Sequence, residues 1–170
     1  MTETIETERL ILRHWLESDA PALYRYASEP RVSQMALWPC HTSVDMSRYV
    51  IQNYFIPNPS TFAIVLKSTL EPIGCIGLVP QGDEHHTPLP GEREVGYWIG
   101  LPHWNSGFTT EALRALIAYC SDSMHLNSLL ITTDARNAAS QRVAIKCGFI
   151  QFDEYIHEGI PSQAYRLRIK

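Results

Sequence analysis

The chain has 170 residues, 45% apolar and 19% charged, a balance that excludes disordered and fibrous polymers and fits one globular domain over 1–170. A formal net charge of −4 advertises no broad basic face, so no nucleic-acid partner is expected. No apolar run reaches the ~18 residues of a membrane span, and MTETIETERLILR lacks the basic head and apolar core of a signal peptide, so a cytoplasmic protein without a membrane partner is expected.

In chain order, ERLILRHW (8–15) alternates apolar with polar residues and predicts a first strand. Ser18 or Asp19 can cap a helix through APALYRYAS, with Pro21 tolerated in its first turn; that helix should stop near Glu29-Pro30. Residues 43–55 carry helical apolar spacing at Val44, Tyr49, Val50 and Tyr54, ended by PNP. TFAIVLK (61–67) and EPIGCIGLVP (71–80) predict two strands joined by a tight turn at Ser68–Leu70, followed by a polar Pro/Gly-rich loop over 81–92. REVGYWIG (93–100) alternates as a strand through Val95, Tyr97 and Ile99. The helix after Gly107 has a stripe of Leu113, Leu116, Ile117, Cys120 and Met124. SLLITTD (128–134) predicts a strand, and 137–149 a helix closed by Gly148 in a left-handed position. QFDEYIHEG and QAYRLRI then form a hairpin around IPS. The order predicts an α/β fold with a mixed sheet of about seven strands and helices on its faces.

Cys40, Cys75, Cys120 and Cys147 are scattered without a close pair, which predicts buried reduced thiols and no metal. His85 and His86, in the loop HHTPLPG, and His103 are read as solvent-exposed rather than as ligands.

The stretch WNSGFTTEA (104–112) sits between a strand and a long helix. A helix's first turn leaves backbone N–H groups unpaired and carries about half a positive charge, so a strand, a glycine turn and a helix can hold a phosphate. The plain alternative is a βα turn capped by Thr109 or Thr110. Neither a Walker loop nor GxGxxG is present.

The run from Glu94 to Phe149 resembles the GNAT superfamily of acyl-CoA-dependent N-acetyltransferases, and looks closest to the branch that includes ribosomal-protein N-terminal acetyltransferases. EVGYWI (94–99), WNSGFTTEA (104–112) and NAASQRVAIKCGF (137–149) match that branch's three blocks in order, and TERLILR (7–13) is similar to its opening strand. The resemblance implies a mostly antiparallel twisted sheet, splayed between the 93–100 and 128–133 strands, with the pantetheine of acetyl-CoA in the gap. It implies that amides around Gly107, Phe108, Thr109 and Thr110 hold the pyrophosphate, beside Trp104. Tyr97, Trp98 and Ile99 then border the coenzyme, Asn137 contacts the pantetheine arm, Ser140 lies near the thioester sulfur, and Arg142 is a further binding candidate.

This sequence departs from the superfamily in three places. Asn105 sits where glycine is common, and Thr109 is bulkier than the usual residue. Ala144 stands where many members carry a tyrosine that protonates the thiolate, which leaves Ser140 or water for that step. Glu94 is the candidate base, acting directly or through water, with pairing to Arg93 as its structural alternative; Asp134 is read as a strand end. The expected reaction is acetyl transfer to a primary amine, foremost a protein N-terminal α-amine, by a monomer or homodimer. A small-molecule amine and a CoA-binding module without turnover are the alternatives.

Overall fold

The computed structural model describes residues 3–170. Its strands are β1 (Ile5–Glu6), β2 (Leu10–His14), β3 (Thr61–Leu66), β4 (Glu71–Leu78), β5 (Glu92–Ile99), β6 (Ser128–Asp134), β7 (Ile150–His157) and β8 (Ile160–Arg168). Its helices are α1 (Ala20–Ala27), α2 (Pro30–Ala36), α3 (Val44–Val50), α4 (Phe108–Asp122) and α5 (Ala138–Lys146). The hydrogen-bonded strand order is β1-β2-β3-β4-β5-β6-β8-β7. Only β5 and β6 pair in parallel among the registered pairs; the others are antiparallel. The sheet is therefore mixed and mostly antiparallel, with eight strands rather than seven, the extra one being the two-residue β1.

The chain divides into two compact units. One runs up to Gly77 and resumes over Tyr97–Ala112. Its core gathers Trp15, Leu23, Ile51, Val65 and Cys75, with Trp38, Phe55 and Trp98 packed against them. Gly74 lets β4 lie close to β5, since a Cβ there would stand 2.5 Å from the Trp98 carbonyl oxygen. The other unit holds Leu78–Gly96 and Leu113–Lys170. There the α4 stripe delivers Leu113, Leu116 and Cys120 fully buried, and β6 contributes Leu129, Leu130 and Ile131. The α5 end closes as read from Gly148, at φ +90°: the Phe149 N–H reaches the Ala144 carbonyl and the Gly148 N–H reaches Ile145, both at 3.0 Å.

Three local readings change. Pro30 ends α1 but also opens α2, because proline suits a first helical position and the Glu29 carboxylate accepts from the Arg31 N–H. After Val50, residues 51–55 continue in wider π-helical turns. The last hairpin turns at Glu158-Gly159, with φ of +48° and +79°, so Ile160, Pro161 and Ser162 already belong to β8. A two-residue loop with both φ positive matches strand twist, which a turn at IPS would not.

Candidate functional site

In the first unit, β5 runs into a 3-10 turn (Leu101–His103) and then the turn before α4. Asn105 and Gly107 are left-handed, with φ of +59° and +78°. Asparagine tolerates that region better than most residues, which explains how it replaces a glycine here. The Glu111 N–H bonds the Gly107 carbonyl at 3.1 Å and closes the first helical turn. The amides of Phe108, Thr109 and Thr110 precede it and point toward the helix N-terminus. The Trp104 indole N–H donates to the Ile99 carbonyl at 2.9 Å and pins the turn to the end of β5.

Arg9 braces the same turn. It donates to Glu111 Oε2 at 2.7 Å and to the Ser106 carbonyl at 3.0 Å, and its guanidinium lies 4.3 Å from the Phe108 ring centre. Burial would raise the Glu111 pKa, but hydrogen bonds from Thr7 and Arg9 outweigh it and hold the carboxyl below its usual range. Arg9 was not among the expected site residues. Its signal was present, because TERLILR and the Thr-Glu-Ala of WNSGFTTEA are the two segments that meet here.

Trp98 turns its ring toward Trp38, 5.5 Å centre to centre, and packs against the core, while Ile99 is buried and Tyr97 half-buried. Ile99 thus meets the turn through its backbone carbonyl.

In the second unit, the parallel ladder of β5 and β6 pairs Glu92–Glu94 with Ser128–Leu130, while β6 continues to Asp134 along β8. The ladder stops where the splay is expected. Glu94 stands at that point and is 1% exposed. Its Oε1 accepts from Thr132 Oγ1 at 2.6 Å and faces His85 Nδ1 at 2.8 Å; its Oε2 accepts from the His85 backbone N–H at 2.7 Å. Arg93 is not its partner: the guanidinium reaches back to the Val79 carbonyl.

His85 is exposed as expected and His86 half-buried, and both rings are hydrogen-bonded. The His85 ring, 43% exposed, meets Glu94, and His86 Nε2 lies 2.9 Å from the Asp153 carboxylate. Hydrogen bonding to Glu94 raises the His85 pKa against the opposing effect of burial, with Glu158 and Asp83 adding negative charge nearby. The bond to His86 lowers the Asp153 pKa. Nothing local in HHTPLPG signals these bonds: that of His85 depends on the chain returning nine residues later as β5, and that of His86 on β7, 67 residues on.

At the start of α5, Asn137 caps the helix by accepting from the Ser140 N–H at 3.1 Å. This places Asn137 and Ser140 together in the first turn, half-buried, with Arg142 exposed beyond them. Ala144 is fully buried, so the helix packs inward at the position where a tyrosine would offer its hydroxyl. Asp134 ends its strand as read, holding Arg136 through its backbone N–H and guanidinium. Of the cysteines, Cys75 and Cys120 are buried and Cys40 and Cys147 half-buried, all reduced; burial pushes the Cys75 and Cys120 thiols up to about 12. Among the described residues no helix is long and apolar enough to cross a membrane.

A family model described as acetyltransferase (GNAT) domain matches residues 9–150. An uncharacterized N-acetyltransferase of Bacillus licheniformis, p20, is 32% identical over 151 residues, covering 86% of this chain and 82% of its own. The ribosomal-protein-serine acetyltransferase of Escherichia coli is 29% identical over 157 residues, covering 88% and 84%. Among solved structures, the ribosomal L7/L12 alpha-N-protein acetyltransferase RimL in complex with coenzyme A matches with a TM-score of 0.79 at 20% identity, over 98% of each chain. That last likeness concerns the fold. With the family match spanning the turn before α4, the end of the β5–β6 ladder and α5, the chain belongs to the GNAT family of N-acetyltransferases.

Proposed function

We propose that this acetyltransferase carries the acetyl group of acetyl-CoA to a protein N-terminal α-amine, without a metal. The observation that carries the acceptor is the alignment of 157 residues with the E. coli ribosomal-protein-serine acetyltransferase. The residues fit the coenzyme: Gly107 is left-handed, a Cβ there would meet only an Arg9 guanidinium nitrogen at 3.4 Å, and the first-turn amides lead out of a 15-residue helix.

In this reading the amides of Gly107 to Thr110 hold the pyrophosphate, Trp104 shapes the turn, and Arg142 adds a cation toward the phosphates. The backbone of Tyr97, Trp98 and Ile99 lies along the pantetheine and polarises the thioester carbonyl, and Asn137 holds the arm. Ser140 gives a proton to the departing thiolate. Glu94 serves removal of the amine's proton. An α-amine suits this machinery, since with a pKa near 8 about a quarter is neutral at pH 7.5, against roughly a thousandth of a lysine amine.

The test supplies acetyl-CoA with a peptide bearing an N-terminal serine, the same peptide with its α-amine blocked, a lysine side-chain amine and spermidine. Thiol release and product mass are read. The expected result is acetylation of the free α-amine and none of the blocked peptide. Transfer to spermidine alone would move the enzyme to small amines, and coenzyme binding without turnover on any amine would leave a binding module.

A further inference from the structure

Glu94 is poorly placed to meet a substrate. Its side chain is 2% exposed, and its two oxygens already face three donors: the Thr132 hydroxyl, the His85 ring and the His85 backbone N–H. A carboxylate enclosed in this way orients a neighbour more readily than it collects a proton from an incoming amine. His85 has the complementary character. Its ring is 43% exposed, and its Nδ1 is engaged by Glu94 at 2.8 Å. With Nδ1–H held by the carboxylate, the neutral ring carries its lone pair on Nε2. The histidine lies one side chain away from the end of the β5–β6 ladder.

We propose that His85 Nε2 is the catalytic base that takes the amine's proton, and that Glu94 is a positioning residue that acts through His85. This rests on the acetyl-transfer reading above and deepens it. The balance is simple. Nε2 takes a proton from the nitrogen of the acceptor and becomes imidazolium, stabilised by the Glu94 carboxylate behind it. The nitrogen forms its bond to the acetyl carbon, the carbon–sulfur bond breaks, and the thiolate takes a proton from water or from Ser140, which regains one from solvent. His85 then releases its proton to solvent through its exposed edge. A nucleophile or base oriented by a third group is a recurrent catalytic arrangement, and here loop 81–91 supplies the base while the strand supplies the group behind it.

The surroundings strengthen His85 as a base, since its hydrogen bond to Glu94 raises its pKa above the usual imidazole value. Glu94 from β5 bonds the His85 ring, the His157 ring lies edge-on with its centre 5.1 Å away, and Asp83 from its own loop and Glu158 from the β7–β8 turn add negative charge nearby. The Tyr155 phenol, next along β7, is kept protonated by burial and by the nearby Glu94 and Asp153 charges. Acidic neighbours predominate, and they stabilise the imidazolium that the step creates.

The experiment compares wild type, His85→Gln, His85→Ala and Glu94→Gln, with acetyl-CoA and the N-terminal-serine peptide at saturation, across pH 6 to 9.5. Folding is checked by melting temperature and coenzyme binding by titration with CoA. The expected outcome is a loss of about 10²-fold in kcat for His85→Gln at pH 7, within the usual range for a positioned base. CoA affinity should be unchanged, and added imidazole should restore part of the rate in His85→Ala. A proton-detected titration of the His85 ring should also show its pKa falling in Glu94→Gln. A merely structural His85 would move neither the pH profile nor respond to imidazole. Wild-type rate and profile in a folded His85→Gln would overturn the proposal while leaving acetyl transfer intact. A wild type that acetylates none of the amines would overturn both.

Discussion

Glu92 and Glu94 stand two residues apart on one face of β5, both buried at 4% and 1% exposure, yet their surroundings differ in kind. Glu92 is held by Arg166 through Nε at 2.6 Å and Nη2 at 3.1 Å, by Ser128 and by the Leu89 N–H. Arg166 itself lies 3.9 Å from the Phe152 ring centre, so packing fixes the cation. Glu94 has a hydroxyl and a histidine instead. Arginine keeps its charge at any working pH, whereas histidine changes charge and hydrogen-bonding character near neutrality. One carboxylate is built to stay as it is, and its neighbour is coupled to a group that can take up a proton.

The largest effect on stability should come from the fixed end. Glu92→Ala leaves the Arg166 guanidinium, 21% exposed as a side chain, without its carboxylate. Breaking a buried pair on one side typically costs about 3–5 kcal/mol. At about 2–4 °C per kcal/mol for a chain of this size, scanning calorimetry should show melting lowered by roughly 6–20 °C. An unchanged melting temperature would mean that Glu92 is no more than a solvated strand residue.

Coenzyme stabilisation should depend on neither carboxylate. CoA at 100 times its dissociation constant should add about 2.7 kcal/mol of stability to wild type. Glu94→Gln should keep that shift, and Gly107→Val should lose it, because a β-branched residue resists φ of +78° and would displace the turn whose amides face the phosphate. Normal CoA binding by Gly107→Val would reduce Gly107 to a turn residue.

The smallest effect is in the pH dependence of stability, where the two ends have opposite signs. For Glu92, burial raises the pKa but Arg166, Leu89 and Ser128 together hold it below 4.5. Its contribution is present above the unfolded carboxyl pKa and is lost as pH falls through the lower folded value. His85 is raised above 6.5 by its bond to Glu94. Its contribution is full below the unfolded value and fades as pH rises through the higher folded one. The melting difference between wild type and Glu94→Gln should therefore be greatest below about pH 6.5 and shrink above it. A difference that grew with pH would contradict the His85–Glu94 coupling.

What the sequence made legible was whatever its own periodicity encodes. Alternation in REVGYWIG and the β-branched content of SLLITTD mark strands that lie beside each other, and the stripe Leu113, Leu116, Cys120 is the buried face of α4. Gly107 and Gly148 were legible because each has a positive φ at a helix end. Two local signals misled. Pro30 reads as a stop when it is also a first helical residue, and IPS reads as a turn when Glu158-Gly159 already supplies one. The partners of Glu94 were hidden for a different reason. His85 sits in a Pro/Gly loop and Thr132 lies 38 positions away, and both bonds exist only after β4, β5 and β6 have come into register. Tertiary hydrogen bonds leave no period to read.

In the proposed reaction the Glu94 end of β5 handles the acceptor's proton. Its most direct test is the ratio of wild-type to Glu94→Gln turnover at pH 7 and pH 9.5, using acetyl-CoA and the N-terminal-serine peptide with chemistry rate-limiting. An α-amine is about a tenth neutral at pH 7 and almost wholly neutral at pH 9.5, so the need for a base disappears across that interval. The predicted ratio is about 10² at pH 7, falling to below about 10 at pH 9.5. A ratio near one at both values, or equally large at both, would return Glu94 to a structural role beside Glu92.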